Sequence, residues 1–217
     1  NINFTTNQAA FDATNRTISI GGNWGNTATT TYTLTGSTII FNGSTNPQTI
    51  TNTSAITFNN ISFSGSQTKT FSNNAITVNG NFDITGANVT WGGATTITLN
   101  GNWLNTGGTG VFNPSTGTVL LNGGAQQIGA STFYNLTCGG TASTTKTLTG
   151  NISLNNAMVI NANITLDVSA SNYSIDVTGN WTNNGAFTPR NGTVSFIGAS
   201  TSAITSGTGS GPATGFN

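Results

Sequence analysis

The sequence predicts an all-β fold, a parallel β-solenoid (β-helix) with about three short strands per rung. Three observations predict it: a composition suited to strands and turns, apolar-polar-apolar triplets at short intervals, and a long internal repeat.

Of the 217 residues, 44 are Thr, 33 Asn, 29 Gly and 20 Ser, while Glu and His are absent. Thr, with Ile, Val and Phe, favours strands; Gly and Asn favour turns; the strong helix formers other than Ala are scarce. Ile, Leu, Val and Phe supply 47 residues, enough for a thin core, and no net charge holds the chain open.

The triplets Ile76-Thr77-Val78, Phe82-Asp83-Ile84, Val89-Thr90-Trp91 and Ile97-Thr98-Leu99 alternate as strands with one buried face do. Between them Asn79-Gly80, Gly92-Gly93 and Asn100-Gly101 allow tight turns. Such triplets also suit hairpins in an antiparallel sandwich. The repeat favours the solenoid.

Gly-Asn-Trp occurs at positions 22–24, 101–103 and 179–181, so that Trp24, Trp103 and Trp181 stand at nearly equal intervals. Each copy follows an alternating apolar pair: Ile18 and Ile20, Ile97 and Leu99, Ile175 and Val177. Segments 37–43, 117–123 and 192–198 form a second family, and 56–63 and 131–138 a third. Lys69 and Lys146 each sit in Thr-Lys-Thr, separated by almost the same interval as the Trp. The chain therefore holds almost three copies of a unit of about 78 residues. As blocks these are approximately 1–96, 97–174 and 175–217, the last incomplete, within one elongated domain, 1–217. With rungs of roughly 20 to 26 residues a block spans three or four rungs, and the chain makes about nine, a rod near 40 Å long. If the block is the structural unit, the three Trp occupy the same corner of successive blocks.

The expected inward set includes Ile20, Trp24, Phe41, Phe58, Val78, Leu99, Trp103, Leu121, Phe133, Val177, Trp181 and Phe196. Abundant Asn beside Gly predicts side-chain ladders at the turns. Terminal rungs would present unpaired strand edges, and Thr214-Gly215-Phe216-Asn217 looks like a repeat cut short. Asn1-Ile2-Asn3-Phe4 has neither an initiator Met nor a signal segment, so the chain reads as a piece of a longer one.

Four Asp (Asp12, Asp83, Asp167, Asp176) balance Arg16, Lys69, Lys146 and Arg190, so the net charge is zero. No basic surplus exists to hold nucleic acid or an anionic membrane. Nor does any apolar run reach the roughly 18 residues that a membrane-spanning helix needs. Without His or Glu there is no imidazole base and no Ser-His-Asp or Cys-His arrangement, and the Asp fall at different repeat positions. No catalytic, cofactor or metal residue is expected, and the protein is read as no enzyme.

The single Cys138 fills an inward slot and reads as a small core residue. A regular Trp stripe could bind sugar, but each Trp follows an inward pair at even spacing, which favours the core. Twelve Asn-x-Ser/Thr sequons include Asn3, Asn42, Asn60, Asn135 and Asn180, about what this composition produces by chance. Thr68-Lys69-Thr70, Thr96-Ile97-Thr98 and Thr145-Lys146-Thr147 fit the Thr-x-Thr motif of ice-binding solenoids, yet the recurring copy carries a Lys and comes once per block.

The run from Ile175 to Phe196, Ile-x-Val-x-Gly-Asn-Trp followed by Asn-Asn-Gly-Ala-Phe-Thr and Gly-Thr-Val-Ser-Phe, resembles the repeats of long secreted surface proteins and adhesins of Bacteroidota-type bacteria. The resemblance implies type IX export to the cell surface and a role in adhesion, gliding or biofilm formation, with surface polysaccharide or the secretion machinery as partners. The expected function is a stiff, extracellular, non-enzymatic segment of a surface adhesin, stalk or filament, flanked by further repeats of its own chain. The alternatives are a filament subunit stacking end to end on copies of itself, or a carbohydrate-binding or ice-binding solenoid.

Overall fold

The computed structural model describes residues 4–6, 10–26, 31–72, 74–106 and 111–206, and these form 29 short strands and no helix. No helix among these residues is long and apolar enough to cross a membrane. Every described pairing is parallel and joins a strand to the third strand after it along the chain. Three strands thus make one rung of a three-sided coil. The shortest rung separates Val119 from its register partner Leu136, and the longest separates Trp24 from Ile50. Rung length varies because loops at the corners absorb the difference while the strands stay in register.

We label the sides face A, which begins with Phe4–Thr6, face B, which begins with Ala10–Asp12, and face C, which begins with Thr17–Ile20. Face C is one continuous ladder of nine strands. Face A is interrupted between Phe112–Asn113 and Ser131–Phe133, and face B between Thr31–Thr33 and Ile56–Phe58. From Ile56–Phe58 onward face B is an unbroken eight-stranded ladder.

Strict alternation sends every second side chain inward. Among the expected inward residues, eleven are buried; Phe196 is only half-buried, at the edge of Trp181's ring with centroids 6.5 Å apart. Its strand, Val194–Phe196, is the last of the described face A ladder. The interior is a stacked aromatic column in which Trp103 lies flat on Phe82 (4.3 Å) and meets Phe112 (4.7 Å) and Phe133 (5.1 Å) edge-on. Offset and edge-to-face contacts of this kind contribute about 0.5 to 1.5 kcal/mol per pair beyond area burial.

The Gly-Asn-Trp motif has a mechanical explanation. Its Asn stands at a corner and accepts a backbone N–H from the next rung: Asn23 from Thr49 (2.9 Å), Asn102 from Gln127 (2.8 Å) and Asn180 from Ala203 (2.9 Å). Its Gly permits close stacking of corners, since a Cβ on Gly101 would collide with the Gly80 carbonyl. Its Trp then enters the core. The expected Asn ladders are present: Asn60 and Asn81 accept N–H groups from Asn81 and Asn102, and Asn100 donates to Asn79 (2.9 Å).

The expected equivalence of the three Trp fails. Trp24 begins the fourth strand, Trp103 the fifteenth and Trp181 the twenty-sixth, which places them on faces A, C and B. A block is therefore eleven strands, or three and two-thirds turns, neither three rungs nor four. Each block repeats the same local structure turned back by one face. The local environment recurs and its orientation does not. The expected repeat at Thr214 to Asn217 lies outside the described residues.

Candidate functional site

The acidic residues do not converge. Asp12 caps its own turn through Thr14; Asp83 accepts from Thr106 on face C; Asp176 points outward from face A. Asp167 forms a bidentate pair with Arg190 (2.6 and 2.7 Å), which holds its carboxyl below the usual range, while the carboxylate raises the guanidinium. No group of three metal-binding side chains lies together among the described residues. Cys138 is fully buried, and burial pushes its thiol up to about 12, so the nucleophilic thiolate is not formed near neutrality. Trp24, Trp103 and Trp181 are also in the core and offer no ring to a sugar.

Two buried polar clusters went unrecognised in the sequence. Lys69 and Lys146, which in the sequence count against a Thr surface, point inward and are fully buried, leaving the flanking Thr on the outside. The available signal was parity: Lys69 and Phe71, like Lys146 and Leu148, stand two residues apart and share a side. Lys69 Nζ donates to the carbonyls of Gly43 (2.6 Å) and Gln67 (2.8 Å). One rung away, Gln48 donates to the Ile20 and Gly22 carbonyls and accepts from the Gly43 N–H. The second copy repeats this. Lys146 Nζ donates to the carbonyls of Gly123 and Gly124 and to Gln126 Oε1, each at 2.7 Å. Gln126 in turn donates to the Leu99 and Gly101 carbonyls and accepts from the Gly123 N–H.

Each Gln–Lys clamp ties three consecutive rungs at a corner where loop carbonyls would otherwise be buried without donors. Burial pulls Lys69 down to about 8 and lowers Lys146 as well, with Cys138 opposing the latter slightly. The clamps consist of the protein's own atoms throughout, and their chemistry is structural.

The outer surface differs from face to face. On face B, from Ile56–Phe58 onward, the outward mid-strand positions are in register as Thr57, Thr77, Thr98, Leu120, Thr137, Val159, Thr182 and Thr205. Successive members stand about 4.8 Å apart. Beside them in the middle rungs runs a second row, Thr96, Thr118 and Asn135. None of these eight strands contains a charged residue. Above the column, where the face B ladder is interrupted, a cleft of about 170 Å³ is lined by Tyr32, Leu34, Phe58 and Asn79 among others and contains no ionisable group other than the phenol.

In comparisons with known proteins, no family model matches the chain, and neither a curated protein nor a solved structure matches it.

Proposed function

We propose that this chain is a stiff, extracellular, non-enzymatic structural segment of a bacterial surface adhesin, stalk or filament. The observation that carries the proposal is the eleven-strand block. Because the parallel ladder runs across both block boundaries, and the corner Asn recurs inside every block and the buried clamp inside the first two, added blocks extend one continuous core without a hinge. Length then grows linearly, at about 18 Å per block from the strand spacing. The partners along the axis are further rungs, supplied by the same chain or another copy. A low charge density suits this role, since neighbouring rungs stack without like-charge repulsion.

Immunogold labelling of intact cells of the source organism tests the proposal. Labelled surface appendages are the expected result; labelling that appears only after permeabilisation would refute it. The stiffness is tested separately by small-angle scattering on chains with one, two and three extra blocks, where the maximum dimension should grow by the same increment each time.

A further inference from the structure

From the face B threonine column we infer a second function, independent of the rod: this face binds the surface of crystalline ice. Three features of the face fit an ordered water lattice. The ladder fixes a repeat of about 4.8 Å along the axis, and in the three middle rungs, where Thr96, Thr118 and Asn135 stand beside the column, a spacing of about 6.7 Å across it, both near oxygen repeats of hexagonal ice. The residues are mostly β-branched, so their hydroxyls and methyls stay in few rotamers and lose little entropy on contact. Charge, which would organise its own hydration shell against the lattice, is absent from all eight strands.

The turning of the blocks supplies an internal control. A position on face B recurs in another block on face A or C, in the same local environment but facing elsewhere. Thr77 corresponds to Ser153, Thr137 to Ser62, Thr98 to Ser19 and Asp176, and Val159 to Asp83. The fold therefore tolerates Ser and Asp at these four positions, which on face B are Thr or Val, whereas Thr57 and Thr205 keep the Thr of their counterparts Thr132 and Thr49. The Lys that argued against an ice face at the sequence level lies in the core and does not interrupt this surface.

Other occupants fit less well. The strip is roughly 34 Å long and one strand wide, giving a few hundred Å² per partner, below the ~800 Å² a side typical of a stable protein pair. A polysaccharide would need stacking rings, and no outward residue of these strands is aromatic.

The test is partition of the full chain into a slowly growing ice front, together with thermal hysteresis. Wild type should be enriched in ice. The pair Thr77→Tyr and Thr137→Tyr should reduce enrichment to that of a non-binding control protein, while the matched pair Ser153→Tyr and Ser62→Tyr on the other faces should retain it. Thr98→Asp, which places on face B the residue its counterpart already carries, gives a second loss variant compatible with the fold; circular dichroism checks all of them. Exclusion of wild type from ice overturns the inference. So does equal loss in both tyrosine pairs, retention of ice binding by Thr98→Asp, or sedimentation showing that face B mutations dissociate a dimer.

Discussion

Lys69 makes the pH dependence of stability a test of how its clamp works. Its Nζ is buried under two carbonyls, and burial lowers its pKa from 10.5 to about 8. The folded state thus binds the proton less tightly than the unfolded chain does. Below pH 8 both states carry it, and the folded protein bears the cost of a buried charge. Between pH 8 and 10.5 only the unfolded state remains fully protonated, so stability rises with pH through that window. The shift corresponds to about 3 kcal/mol. Lys146, lowered in the same direction, adds to the rise. Cys138 opposes it: its thiol, raised to about 12, stays protonated in the folded state while the unfolded thiol ionises, so its contribution falls from about pH 9 upward. Subtracting the Lys69→Met profile from that of wild type isolates Lys69. Denaturant unfolding from pH 7 to 10.5 should show this difference climbing in favour of wild type by up to that amount. A flat difference would mean that the carbonyls offset the desolvation of the ammonium completely, and would refute the reasoning.

Four further outcomes follow from the packing. Trp103→Ala should destabilise by about 3 to 5 kcal/mol in urea unfolding, because it empties the most crowded part of the aromatic column, whereas Ser131→Ala, which removes the hydroxyl that accepts the Trp103 indole N–H at 2.8 Å and donates to the Ala130 carbonyl, should cost about 0.5 to 1.5 kcal/mol. Lys146→Met and Gln126→Leu should be strongly non-additive in a double-mutant cycle, with a coupling of about 1 kcal/mol or more, since they bond each other and share the Gly123 corner. Cys138 should resist a thiol reagent in the native protein and react at the rate of unfolding. Arg190→Ala should leave the denaturation midpoint almost unchanged despite the bidentate geometry, because the arginine side chain is 43% exposed and water screens the pair.

The fold was legible because the determinants of a solenoid are local. Alternation in Ile97-Thr98-Leu99 states which side is inward, and Asn100-Gly101 states where the corner falls; neither needs knowledge of distant contacts. What stayed hidden depended on counting. Whether Trp24 and Trp103 share a face depends on how many strands separate them, and short strands such as Val89–Thr90 and Trp103–Leu104 leave that number ambiguous in sequence. The clamps were hidden for a different reason. A Lys between two Thr matches a solvated strand by composition, and only the parity with Phe71 or Leu148, together with the corner carbonyls of the neighbouring rung, makes burial favourable.

The count of eleven has a consequence for how surface chemistry arises on such a rod. With twelve strands per block, every duplicated block would present the same residues on the same side, and a binding face would extend automatically with length. With eleven, duplication turns each new copy by one face, so Ser19, Thr98 and Asp176, which occupy one block position, point outward from faces C, B and A. Core and corner residues are indifferent to this rotation because all three sides meet the same interior. That is why Ile, Trp, Asn and Gly recur so faithfully, while outward positions vary more: Thr57 matches Thr132 and Thr70 matches Thr147, but Thr98 has Ser19 and Asp176 as its counterparts. A coherent face must therefore be built by substitution after duplication, one rung at a time. The unbroken Thr, Val and Leu column on face B is consequently information about that surface, separable from the repeat that builds the rod.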